Sequence, residues 1–428
     1  MVVLVTMLSR AYKKLHGRRR RRRSYTPVAS ASSRTQQRET RHGEDSYYTE
    51  HDGNYDEDMD TNKGALDSST AAPNFTMPSE EERHEGTWLQ WPHTYGWDRH
   101  RNVLQRYEKI WIDMTRALHT GERVHIIVYN QRQLRRVRRI LLKEQDTTTG
   151  GGGRMIIDIS QIDFWVYPTD DVWVRDNGPL FVYDHRRNDD KLVVQDWMFN
   201  GWGGKAEYNY DDTIPTNVAR DLGLPRIPVH MVNEGGSIEV DGRGTLMAKK
   251  SSILNPNRNP GLSQADAEDY FRTYLGVSHF IWLEGQMIGA DITDDHIDGT
   301  ARFAGSEDND DIENNPIIVT MARDDFLHPS EYDVLKQAVN AEGRPFRLVH
   351  LPITKKLIGK DPGIYVNYYV GNEVVLVPMY DDENDAEALR ILADVYPHRK
   401  IQGINMVELY KDGGAAHCVT MQQPLGRS

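Results

Sequence analysis

Apolar positions draw the first outline of this chain. From Val103 to Leu118 they recur at three- and four-residue spacing, the period of an amphipathic helix, and Leu134 to Leu142 repeats that pattern. Between them, Val124 to Val128 is a mostly β-branched run that predicts a buried strand. A Thr/Gly stretch at 147–153 predicts a loop, and Met155 to Ile159 and Phe164 to Tyr167 predict further strands. The alternation then recurs: helix 264–275 with strand 279–283, helix 331–340 with strand 346–351, strands 364–370 and 373–378, then helix 384–395 with strand 399–403. Strands alternating with helices in this way predict an α/β domain. No sequence repeat stands out. Gly150 to Gly153 lacks the Lys-Ser/Thr of a phosphate loop, and no dinucleotide fingerprint is present.

Residues 1–76 break the pattern. They are rich in Arg, Ser, Thr, Asp and Gly and predict a disordered extension ahead of a folded body over 77–428. Charge divides the same way: residues 1–38 hold eleven Arg or Lys and no acid, and the remainder holds 41 basic residues against 64 acidic. An acidic body repels nucleic acid and attracts cations, so no nucleic-acid partner is expected for it. The arginines at 18–23 read as a nuclear-localisation or polyanion patch, as part of an organelle transit peptide, or as an upstream extension without function, with Met77 near the true start of the fold. Val2 to Leu8 is far shorter than the ~20 apolar residues of a membrane span, and its positive charges follow it, the wrong order for a secretory signal. No membrane partner is expected. The cytoplasm is the expected compartment, with nuclear or organelle targeting by the Arg-rich start left open.

The only cysteine, Cys418, changes the chemical picture. It excludes an internal disulfide, a multi-cysteine zinc site and a Cys-x-x-Cys redox pair. A core filler, a surface thiol and a nucleophile remain. Gly413 and Gly414 allow close backbone approach, and His417 lies alongside. Upstream, Trp173 and Asp176 precede a Gly-Pro turn, and Glu234 stands before Gly235-Gly236 where a strand should end. In Asp294-Asp295-His296-Ile297-Asp298, His296 and Asp298 share one face if extended, which suits a histidine beside a carboxylate and also a metal ligand pair. Trp88 and Trp91 suit the core or a cleft wall. A thiol with a histidine implies covalent catalysis. Carboxylates around it suit a cationic electrophile, and a guanidinium, planar and always charged, is the natural one.

These stretches carry a resemblance. His84-Glu85-Gly86-Thr87-Trp88 with Trp91-Pro92-His93, Trp173 through Pro179, Glu234 through Ser237 with Asp241-Gly242, Leu254-Asn255 through Asn259-Pro260, His296-Ile297-Asp298, and His417-Cys418 with Gln422-Gln423-Pro424 together resemble the agmatine deiminases. That family lies within the guanidino-group-modifying superfamily, and the matches cover 77–428 in family order. The resemblance implies a five-bladed pseudosymmetric α/β propeller, the pentein fold. It implies hydrolysis of agmatine to N-carbamoylputrescine and ammonia through a thiouronium on Cys418, as in putrescine biosynthesis. Asp176 and Asp298 would hold the guanidinium, Trp173, Gly413 and Gly414 would line its site, His296 would move protons, and Glu234 would orient His296. No cofactor or metal is expected, and a homodimer or homotetramer stays open. Peptidyl-arginine, free arginine or another alkylguanidine remains an alternative substrate, and a silent guanidine-binding homologue an alternative role. The chain departs from the family at Gly413-Gly414-Ala415-Ala416, where a third glycine and Asn-Ile are usual. It departs again at Asp295, where glycine is usual, and at Met421 in the glutamine run.

Overall fold

The computed structural model describes residues 74–94, 101–144, 157–186, 191–286, 291–305, 316–326 and 328–426. They fall within a compact unit spanning Ala72–Ser428. The expectations for residues 1–73, for the loop at 147–153 and for Met155 lie outside the described residues.

Strands β1 (Phe75–Thr76) and β2 (His84–Gln90) are followed by helix α1 (Arg101–Leu118), β3 (Arg123–Val128), α2 (Gln131–Lys143) and β4 (Ile162–Val166). Tyr107, Ile110, Trp111, Met114 and Leu118 form the buried stripe of α1, at the spacing the sequence shows. β3 has parallel neighbours on both sides, β2 and β4, which is why it is a continuous apolar run. Then follow β5 (Leu180–Asp184), β6 (Lys191–Met198), α3 (Ile214–Leu222) and β7 (Arg226–Val232), and next β8 (Ile238–Val240), β9 (Thr245–Lys249), α4 (Gln264–Leu275) and β10 (His279–Leu283). The chain continues with β11 (Ala301–Ala304), β12 (Ile317–Met321), α5 (Pro329–Gln337) and β13 (Arg347–Leu351), and a hairpin of β14 (Ile353–Ile358) and β15 (Asp361–Ile364). It closes with β16 (Tyr369–Val370), β17 (Val374–Met379), α6 (Asp385–Val395), β18 (Lys400–Asn405) and β19 (Met421–Pro424).

One pattern underlies this order. A strand pairs antiparallel with the next, and a helix then carries the chain to a third strand parallel to the second. Among the described residues the pattern occurs as β5-β6-α3-β7, β8-β9-α4-β10, β11-β12-α5-β13 and β16-β17-α6-β18. It also occurs as β19 with β2-α1-β3, where the C-terminal strand completes the N-terminal unit. The repeat is structural and invisible as residue identity.

A short turn precedes the first strand of each unit: Val174–Asn177 before β5, Gly235–Ser237 before β8, Ile297–Gly299 before β11, Tyr365–Tyr368 before β16, and His417–Val419 before β19. Two sequence expectations fail at turns. Residues 364–370 are not one strand, because the chain leaves β15 and turns before β16; the turn residues Tyr365, Val366, Asn367 and Tyr368 are all buried, so they mimic a strand in composition. Ile159–Gln161 is a 3-10 turn because the Asp158 carboxylate accepts the Ser160 N–H at 2.9 Å, diverting the backbone from strand geometry. Phe75–Thr76, placed in the extension by sequence, pairs with β5, and Met77 N–H donates to Leu275 O at 3.0 Å. No helix among the described residues is long and apolar enough to cross a membrane.

Candidate active site

The turns ahead of the first strands bring the candidate residues together. Gly236 marks their centre. A Cβ built there would lie 2.7 Å from Asp176 Oδ1, 2.8 Å from His296 Nδ1 and 3.1 Å from Asp298 Oδ2. Only hydrogen leaves that space free. The Gly236 N–H donates to Asp176 Oδ1 at 3.1 Å, and Trp202 Nε1–H donates to Asp176 Oδ2 at 2.9 Å. Two neutral donors therefore fix this carboxylate without cancelling its charge.

His296 lies between acids. Its Nε2 is 2.8 Å from Glu234 Oε2 and its Nδ1 is 3.6 Å from Asp176 Oδ1. Burial opposes the imidazolium, but Asp176, Glu234 and Asp298 outweigh burial and raise its pKa to about 9. Burial, with Asp298 and Glu234 nearby, lifts Asp176 to about 6 despite the opposing pull of His296. Glu234 is held below the usual range against its burial by His296 and Arg258. Arg258 donates from Nε to Glu234 Oε1 at 2.8 Å and reaches Asp294 through Nη1.

Cys418 is partly exposed, with Sγ 3.6 Å from Asp298 Oδ2. Burial and then the charges of Asp298 and Asp176 push the thiol well above its ordinary pKa. Asn367 holds this turn. Its Oδ1 accepts the His417 N–H at 3.2 Å and the Cys418 N–H at 3.4 Å, and its Nδ2 donates to Sγ at 3.2 Å. Asp298 stays ionised: burial would raise it, but His417, His296 and Arg302 bring it down to about 2. His417 bridges Asp298 Oδ2 and Glu80 Oε2, each at 2.8 Å, and Glu80 in turn meets Arg175 and Arg302.

Every candidate residue except Gly413 thus lies in one connected cluster. Trp173 is buried, and a Cβ on Gly414 would overlap its ring and lie 3.1 Å from Cys418 Cβ. Gly414 therefore seats the tryptophan wall against the cysteine turn. Gly413 adopts φ +107° in open space, so its role is backbone geometry. His296 and Asp298 do not line one strand face, as extension would require; His296 precedes the turn that contains Asp298. Among the described residues, no group of three or more His, Cys, Asp or Glu is arranged to hold a metal ion.

Sequence reasoning missed Asn367, Trp202 and Arg258. Arg258 lay inside a matched stretch, Leu254 to Pro260. Trp202 carried a signal in Gly201-Trp202-Gly203-Gly204, four consecutive residues with positive φ. Asn367 sat within the expected strand.

The profile of the Porphyromonas-type peptidyl-arginine deiminase family matches residues 76–424. A curated agmatine deiminase from Medicago truncatula is 28% identical over 84% of this chain and 99% of its own length. The solved agmatine deiminase of Enterococcus faecalis is 26% identical with TM-score 0.68, covering 83% of this chain and 97% of that one. A structure described as a candidate arginine deiminase from Porphyromonas gingivalis is 28% identical with TM-score 0.67, covering 82% and 99%.

Proposed function

The chain belongs to the Porphyromonas-type peptidyl-arginine deiminase family, and from that footing we propose that it hydrolyses agmatine to N-carbamoylputrescine and ammonia through a covalent intermediate on Cys418. The observation that carries this reading is the convergence of Asp176, His296 and Asp298 within 3.1 Å of one point beside Gly236, with Cys418 Sγ 3.6 Å from Asp298. Two carboxylates accept the guanidinium N–H groups and fix its plane. The arriving cation also offsets the two charges that hold the Cys418 thiol protonated, so the substrate favours its own nucleophile.

The thiolate attacks the central carbon. His296, protonated at neutral pH, gives its proton to the departing nitrogen, and the C–N bond breaks to release ammonia. An S-alkylthiouronium remains on Cys418. His296, now neutral, takes a proton from water as its oxygen attacks the same carbon. The C–S bond breaks as the hydroxyl proton of the intermediate passes to the departing sulfur, leaving a ureido product and the Cys418 thiol. Glu234 keeps the ring oriented and charged for the first half.

The repeated unit supports a further reading, that the fold is a five-bladed pseudosymmetric propeller. The pairing of β19 with β2 joins last unit to first, and the turns of all the units serve one site. We keep the cytoplasm as the compartment and a homodimer or homotetramer as the assembly.

A panel of agmatine, free arginine, N-acetylarginine amide and an arginine peptide, read by ureido-product formation, tests the substrate. Agmatine should give the highest kcat/KM. Preference for the peptide would move the assignment to protein-arginine deimination, and no turnover of any member would leave a guanidine-binding protein.

A further inference from the structure

Asp294 and Asp295, the two residues before His296, have φ +60° and +74°. Consecutive left-handed residues with side chains are strained, and glycine is the ordinary choice. Both aspartates are held by cations from other elements. Asp294 Oδ2 meets Arg258 and, at 2.6 Å, Lys205 Nζ. Asp295 Oδ1 meets Lys249 Nζ at 2.6 Å. Lys249 ends β9 and is buried, and its other carboxylate neighbour is Glu331 of α5, at 3.5 Å. Glu331 accepts the Gly285 N–H at 2.6 Å, just past β10. The Asp295 N–H donates to Asp291 Oδ2 at 3.1 Å, closing the loop on itself.

We infer that Lys249 and Asp295 form a positioning clamp that sets the approach of His296 to Glu234 and Asp176. Lys249 is buried and Asp295 is partly exposed, so the cost of parting them falls on the ammonium, which would be left with Glu331 alone at 3.5 Å. Glycine would adopt this φ without strain and would have no carboxylate to tether. The turn before His296 is therefore both strained and tethered. The atoms nearest a Cβ on Gly236 belong to Asp176, His296 and Asp298, so the clamp is taken to act through His296.

The inference rests on the deiminase reading, and its test separates the two. Wild-type turnover of agmatine checks the reading itself. Asp295→Gly should fold, since glycine suits φ +74°, yet lower kcat at least ~10-fold with KM within ~3-fold. Lys249→Met should lower kcat similarly, and in the Asp295→Gly background it should add little. Unchanged kcat in Asp295→Gly, or effects that multiply independently, would overturn the clamp. Hydrogen exchange across 291–297 needs no turnover: it should quicken in Asp295→Gly, and unchanged exchange overturns the clamp even if agmatine is not the substrate.

Discussion

Glu234 Oε2 lies 2.8 Å from His296 Nε2, and Arg258 locks the same carboxylate from its other side. Together with the charge of Asp176, the pair keeps a buried imidazole protonated. It also sets a pH window. His296 is raised from the ordinary imidazole value of about 6.5 to about 9, so the stability it contributes is complete below about 6.5 and lost as pH rises through about 9. Activity that needs the imidazolium falls over the same upper limb. The Asp176 carboxylate, raised to about 6, should set the lower limb of kcat/KM. Glu234→Gln should move the upper limb to lower pH in a kcat/KM–pH profile. An unmoved limb would assign the proton donor elsewhere.

Gly236→Ala places a methyl group within 3.1 Å of Asp176, His296 and Asp298, crowding the groups proposed to hold the guanidinium. A displacement of ~1 Å at a reacting centre can cost ~100-fold. The expected result is a kcat/KM loss of at least that size, read by steady-state ammonia release. The methyl group also crowds buried side chains, so a melting curve should accompany the assay.

Asn367→Ala removes the acceptor of the Cys418 N–H and one acceptor of the His417 N–H. Leaving a buried donor unmatched costs about 1–3 kcal/mol, so chemical denaturation should show a loss of that order. The thiol also loses its amide donor, so kcat should drop more than KM changes.

Cys418 is held protonated by burial, Asp298 and Asp176. A cationic chloroamidine should therefore inactivate the protein faster than neutral iodoacetamide at matched intrinsic reactivity, and excess agmatine should protect. Equal rates would remove the substrate-assisted step.

Much of this site was legible because its chemistry sits in compact motifs. Cys418, His296, Asp298, Asp176 and Glu234 each stand beside a glycine turn or a strand start, where polar groups are conspicuous among apolar neighbours. Asn367 was hidden for the opposite reason: its turn, Tyr365-Val366-Asn367-Tyr368, is buried and aromatic and reads as strand. The alternation of helix and strand announced an α/β fold, but the recurring unit did not show as a repeat. Its turns carry different residues because each supplies a different part of one site. The completion of the first unit by β19 is a contact between opposite ends of the fold, and no local pattern encodes it.

The central claim is that Cys418 bonds to the guanidinium carbon. Peptide mass spectrometry after acid quench of enzyme turning over agmatine tests it directly. The account predicts an adduct on the Cys418 peptide equal in mass to agmatine less ammonia, absent in Cys418→Ser, which also releases no ammonia. Ammonia release by Cys418→Ser at the wild-type rate would contradict it.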